Sequence, residues 1–501
     1  MRSRVHCSRI GSHLPPRPTA IIHIIMPFLS SSIALAALIA FASAESNLGG
    51  QGYVDLSVYG GTPDAKGAGI LYGIPNDPAY YPGTAPARST WGPYFQGAGI
   101  SWVRAGGAQI PFKGYASDLL EGGTEGYDKR FASFKQNFQD ARALNPNNQF
   151  VLLVHDLWGA DGGQGSNTPF PCDDGDCAQY GVYLDKLIAD LKDNDLLGGL
   201  HIDIWNEPDI SGFWARSQDQ YLQAYDYAYS KYRAAFGTAV ALVAPSTSSQ
   251  PDANNDWWKN FTSHISANGN IPDWWSAHQL NGASSANCGN DPVNTQAGLN
   301  DVLSQHGLPA RPFQLNEYAY IDEQSPAYTA WFISRFERTG ITGLRADWGS
   351  KVGLHNDLAK LLGPGGNDKT DNFYKLGDWH VLNYYTQQQH GVITKAGATV
   401  STCYDLYVTQ ERDVGSTHIL AGSRGQSGAY PITVSNVDSM PAYQGKTSLR
   451  AVINEIPYNN GGRVDCPVLY SNTTVAVSDN KIVINLEQNT NSSYTIDLYA
   501  A

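Results

Sequence analysis

Eight short apolar runs recur along the middle of the chain, and their spacing constrains the fold more than any other feature. They are GILYGI (69–74), ISWVRAG (100–106), QFVLLVHD (149–156), HIDIWNE (201–207), VALVAPS (240–246), DWWSAHQL (273–280), FQLNEYA (313–319) and TGLRADW (342–348). A near-continuous apolar run of this length reads as a strand buried on both faces, as parallel sheets require. The segments between the runs read as helices. SQDQYLQAYDYAYSKYRAAFG has Ser217 as N-cap and Gly237 as its stop, and AGLNDVLSQHGLP closes with a Gly-x-Pro. SPAYTAWFISRFERTG sets Ser325 and Pro326 in the cap and first-turn positions and ends at Gly340. Buried strands alternating with helices imply βαβ units, and eight of them imply a closed (β/α)8 barrel. A doubly wound open sheet would carry a glycine-rich phosphate loop after an early strand, and the sequence has none there.

From about residue 387 the texture changes. VITKAGATV, CYDLYVTQ, THILAGS, YPITVSNV, TSLRAVINEI and SSYTIDLYA alternate apolar and polar residues between turns. That is the pattern of short antiparallel strands in a β-sandwich. GYVDLSVYG (52–60) has the same character and is placed to join that sandwich before the barrel begins. The expected fold is therefore α/β: a TIM barrel (65–386) with a C-terminal antiparallel β-sandwich (387–501) and an N-terminal strand segment (45–64) added to it.

Residues 26–44, MPFLSSSIALAALIAFASA, carry a continuous apolar stretch and end in small residues, as a signal peptide does. Residues 1–44 are thus expected to be a signal peptide, with Met26 as an alternative start. The apolar core at 33–41 is too short to span a bilayer. Residues 1–25 hold four Arg and no acid, so removing the segment takes the formal charge from −13 to −17 (−13 − 4). So acidic a surface repels nucleic acid and anionic membranes, and neither is an expected partner. Polyuronates are disfavoured for the same reason. Few charged residues (16%) and many aromatics (11%) suit a compact extracellular protein.

An exported chain makes disulfides the default. CDDGDC pairs Cys172 with Cys177, and Cys403 with Cys466 is the second expected pair, both lying in the C-terminal region; Cys288 is left over. Sequons stand at Asn260, Asn472 and Asn491. No Cys/His spacing suggests zinc, and CDDGDC does not follow an EF-hand loop, so no metal is expected. No cofactor motif is present either.

In such a barrel, residues just past the C-terminal ends of the strands line the active face. Two runs end in Asn-Glu: IWNE on strand four and QLNE on strand seven, placing Glu207 and Glu317 at one cavity. A pair of carboxylic acids flanking one site is the minimum for breaking a glycosidic bond: one protonates the departing oxygen, the other attacks the anomeric carbon or activates water. His155 and His278, near the ends of strands three and six, are candidate sugar contacts. Trp158, Tyr318 and Trp348 are candidate stacking platforms, Trp348 with the most weight.

WNEPD with LNEYA, a trailing sandwich and a strand two ending in Arg resemble the clan A retaining glycoside hydrolases, most of all glycoside hydrolase family 39 and its relatives. The resemblance covers nearly all of the chain after residue 44. It implies Glu207 as general acid/base, Glu317 as nucleophile, Asn206 on the sugar 2-hydroxyl and Arg104 as the cation that keeps the nucleophile ionised. It also implies cleavage of polysaccharide or oligosaccharide by double displacement through a glycosyl-enzyme intermediate; with the signal peptide, the expected protein is a secreted monomer. Where many clan relatives offer a tyrosine after strand six, this chain has WSAHQL, so either His278 fills that role or the nucleophile is held differently. Two other classes remain open: a non-catalytic carbohydrate-binding protein on the same scaffold, and a cell-wall transglycosidase.

Overall fold

The structure, a computed structural model, describes residues 51–75, 86–161, 167–280, 288, 290–364, 372–398 and 403–501; the expected signal peptide lies outside them. The eight apolar runs form the eight strands of a closed parallel barrel: Gly69–Leu71, Trp102–Ala105, Gln149–Leu153, Leu200–Asp203, Ala241–Thr247, Trp274–Gln279, Phe313–Tyr318 and Thr342–Arg345. Closure comes from strand one pairing with strand eight, Gly69 opposite Leu344. Nearly all of their residues are buried because helices cover the outside and side chains fill the inside. The helix Gln218–Phe236 starts where Ser217 Oγ accepts the Gln220 amide (3.2 Å) and stops at Gly237.

The helix Pro326–Thr339 differs from the others. Every residue of 326–336 is buried, the signature of a helix covered all round. On one side lies the barrel; on the other lie the strands Tyr404–Glu411 and Ser416–Ser423. Asp405 takes ion pairs from both Arg335 and Arg338 of this helix. Gly422 is the point of closest approach: a Cβ there would stand 2.5 Å from the Ala327 carbonyl oxygen and 2.6 Å from the Trp331 amide nitrogen.

The C-terminal strands form a mostly antiparallel sheet that folds over on itself. Strand Val392–Ala398 makes the turn: Val392 and Ile393 pair with Gln410 and Thr409, while its later residues pair with Gly52–Tyr59. The same N-terminal strand pairs in parallel with Ile432–Ser435 on its other side. Between the layers sits a separate apolar core, including Val54, Leu56, Leu406, Val434, Leu449 and Ile496.

One expected pairing is corrected. Cys403 bonds Cys288, not Cys466, while Cys172–Cys177 forms as expected. Grouping cysteines by domain misses this because the loop after strand six reaches the sandwich. There Arg424 donates to the Asn290 carbonyl and holds the buried Glu323 at 2.6 Å, so the bridge joins two bodies already in contact. Of the sequons, Asn260 and Asn472 are exposed and Asn491 is half-buried.

Candidate active site

Arg104, at the end of strand two, is fully buried and organises the mouth of the barrel. Its Nε and Nη2 donate to Asp203 Oδ2 (3.0 and 2.7 Å), Nη2 also donates to Asn206 Oδ1 (2.7 Å), and Nη1 donates to Glu317 Oε1 (2.7 Å). A planar guanidinium with five donors can serve three acceptors at once, which an ammonium cannot do in one plane. Because it has no acceptor, the Asn206 amide must turn its oxygen to Arg104, leaving its NH2 group for a ligand.

Asp203 is the anchor that sequence reading passes over. It is wholly buried, and burial lifts its carboxyl above the usual range despite Arg104. Ser246 Oγ donates to it at 2.9 Å, Asn316 Nδ2 at 3.2 Å, and Ser246 Oγ also meets Ser276 Oγ at 2.7 Å. Strands two, four, five, six and seven are thereby joined through one hydrogen-bonded floor. The signal was a charged residue inside an otherwise apolar strand, HIDIW.

Glu207 follows in the left-handed region (φ 43), where its amide donates to the Ser246 carbonyl (2.8 Å). This conformation is costly for a residue with a Cβ, and Pro208 next to it cannot continue a strand. The result aims the carboxyl at the cavity rather than into a surface turn. Burial first, and then the negative charge of Asp209, push its pKa up to about 7, against the pull of Arg104 and His155. Asp209 is fixed by Ser248 and Ser249, whose amides and hydroxyls all donate to it (2.8–2.9 Å).

His278 lies between the two glutamates. Its Nδ1 is 2.7 Å from Glu207 Oε1 and its Nε2 is 3.7 Å from Glu317 Oε1. Burial takes the imidazole down to about 4, so it is neutral at working pH. A protonated Glu207 then donates to Nδ1, and the Nε2–H faces the Glu317 anion; the other tautomer would turn a lone pair on that anion. Ligand atoms of Glu207, His278 and Glu317 lie within 4.8 Å of one another, near enough to hold a metal ion. A cation there would sit beside the Arg104 guanidinium, which already neutralises Glu317, so the donor set fits an acid pair better than a metal.

The remaining candidates divide. His155 is buried beside Trp205 and Phe213, with Nε2 on Asp156 Oδ1 at 2.9 Å; Asp156 also accepts from the Tyr72 hydroxyl. Trp348 is half-buried, donates its indole N–H to the Ala319 carbonyl (2.9 Å), and lines a cavity beside the catalytic end of strand seven. Tyr318 and Trp158 are not brought to the site. Neighbours on a strand face opposite ways, so with Glu317 inward Tyr318 points outward, against Phe332 and Phe336. Strand three ends at Leu153, and the short helix Val154–Trp158 turns Trp158 into Tyr115, Tyr180 and Tyr183.

A protein from Neocallimastix frontalis superposes with a TM-score of 0.69 at 19% identity, over 90% of this chain and 100% of its own. A monomeric β-xylosidase from Caulobacter crescentus CB15 gives 0.55 at 12% (90% and 99%), and the GH39 enzyme from Xanthomonas axonopodis pv. citri 0.56 at 12% (90% and 97%). The chain shares the fold of these three proteins. Comparison of the sequence with protein-family models and with curated proteins gave no match. In this barrel Arg104, Asn206, Glu207, His278 and Glu317 are all carried at or just beyond the C-terminal ends of strands, on the face where barrels of this kind build their sites.

Proposed function

We propose that the protein is an exported retaining glycoside hydrolase that cleaves a polysaccharide or oligosaccharide by double displacement. The observation that carries this reading is the separation of the acids: an oxygen of Glu207 lies within 4.8 Å of an oxygen of Glu317. Retaining enzymes hold their carboxyls about 5–5.5 Å apart, whereas inverting ones need about 6.5–9.5 Å to admit a water. The unequal environments supply the roles. Glu317, paired with Arg104, is the anion that attacks the anomeric carbon; Glu207, buried with a raised pKa, keeps the proton that the leaving oxygen takes. Forming the glycosyl ester removes the Glu317 charge, which eases ionisation of Glu207, and the carboxylate then deprotonates the water that hydrolyses the ester. Asn206, its oxygen held by Arg104, offers its NH2 to a sugar hydroxyl. Export is supported by the leader-like residues 26–44 and the two disulfides.

The test is a product analysis on plant and fungal polysaccharides with the wild-type chain and Glu317→Gln. A released sugar whose anomeric configuration, read by NMR at first appearance, matches the bond cleaved supports retention, and Glu317→Gln should lower turnover by at least about 10³-fold. An inverted first product would overturn the mechanism. Binding without turnover by the wild type would favour the carbohydrate-binding reading.

A further inference from the structure

A cavity of about 420 Å³ has neither glutamate in its lining. It lies where the loops after strands seven and eight meet the sandwich loop carrying Tyr458, Asn459 and Asn460. Trp348 forms one wall, and its indole N–H holds the carbonyl of Ala319, two residues beyond Glu317, so this wall adjoins the catalytic centre. Tyr458, 39% exposed, forms another part of the lining. Asp357 and Lys360 belong to a turn in which four successive residues, Asp357, Leu358, Ala359 and Lys360, have positive φ (43, 50, 53 and 64). Such a conformation is costly for residues with a Cβ and persists where the surroundings over-determine it, most often at ligand sites. Here the Asp357 carboxylate accepts the Lys360 amide (3.0 Å), and Arg345 clasps the Ala359 carbonyl (3.0 Å), fixing the turn as part of the cavity wall.

The lining combines two aromatic rings, side-chain amides and one lysine with acids. The second acid, Asp378, is already paired with Arg345 at 2.9 Å. Aromatic faces plus amides suit the alternating apolar and hydroxylated surfaces of a pyranose, and the volume lies within the range of small-molecule sites. A single lysine beside acids does not suit a run of carboxylates or phosphates. We propose that this cavity is a second saccharide subsite, which binds a neutral sugar unit of the substrate beyond the one being cleaved, with the sandwich loop Tyr458–Asn460 as its outer wall. This rests on the glycosidase reading only for its substrate; saccharide binding here is independent of turnover.

The experiment uses the full chain carrying Glu317→Gln, with and without Tyr458→Ala or Asn460→Ala, titrated calorimetrically with neutral xylo-, gluco- and arabino-oligosaccharides of one to six units. Both loop positions are solvent-facing, so either variant keeps the test alive if the other misfolds. The expected result is at least tenfold weaker binding of the longer oligosaccharides in each loop variant, with monosaccharide binding changed less than twofold. Equal affinities for long oligosaccharides with and without the loop substitutions would overturn the subsite, as would failure of every neutral probe to bind the loop-intact protein. Loop-dependent binding by a wild-type chain that hydrolyses none of the probes would keep the subsite and sink the glycosidase.

Discussion

At the residue scale, the proposed mechanism needs Glu207 to hold a proton while Glu317, paired with Arg104, is charged. Arg104→Met leaves Asp203 and Glu317 buried without their cation. Losing one partner of a buried pair costs about 3–5 kcal/mol, so this variant should melt measurably lower in a thermal scan and lose turnover. Glu207 supplies the basic limb of kcat/KM, expected near pH 7 because its acid form is the active one. Asp209→Asn removes a charge that raises the Glu207 pKa, so that limb should move to lower pH; an unmoved limb would mean that another group titrates. The same shift bears on stability. The folded pKa of about 7 exceeds the ordinary 4.5, so the contribution is fully present below 4.5 and is lost as pH rises through about 7. Glu207→Gln should therefore be more stable than wild type at pH 8 by on the order of 3 kcal/mol, and nearly equal at pH 4.5, by denaturant titration. The strand-end positions of Glu207, Glu317, Arg104 and Asn206 were legible in the sequence because each stands in or just after an apolar run whose spacing reads as a barrel strand. The floor beneath them was not: nothing in a lone serine says that Ser246 faces Asp203 across two strands.

At the scale of elements, the eight strands could be read because each is buried on both sides and so is nearly all apolar. Side-chain direction was harder. Tyr318 and Trp158 stand beside or near catalytic positions in sequence, yet a strand's alternation and a five-residue helix turn them into the packing outside the barrel. The Cys288–Cys403 bridge escaped because domain membership predicts nothing about contacts across a domain boundary. It closes a span of 115 residues, for which chain entropy gives about 5 kcal/mol, much more than for the five-residue span of Cys172–Cys177. Cys288→Ser should destabilise the oxidised protein by about 2–5 kcal/mol, and non-reducing peptide mapping of the wild type should recover Cys288 with Cys403. Where helix Pro326–Thr339 meets the sandwich, Gly422→Ala forces a methyl group against backbone atoms that cannot swing aside. A loss of about 1–3 kcal/mol is expected, with the acid pair untouched.

For the molecule as a whole, the two bodies share more than a seam. A helix of the barrel is buried by the sandwich, a disulfide and the Arg424–Glu323 pair cross between them, and the sandwich completes one wall of the cavity beside Trp348. One cooperative unfolding transition is the expected behaviour. The strand Gly52–Tyr59 adds a temporal constraint. Gly52 pairs with Ala398, which follows it by 346 residues (398 − 52), and with Ile432 beyond that. At about 5–20 residues per second of synthesis, the earliest described strand waits roughly 20–70 s for its first neighbour. Until then it is an unpaired edge with apolar residues at alternate positions, the kind of segment that chaperones hold and proteases find. A nascent chain arrested before Val392 should thus be cut within 52–59 by a protease that spares the finished protein, so the ribosome, more than the folded state, sets when this molecule is most vulnerable.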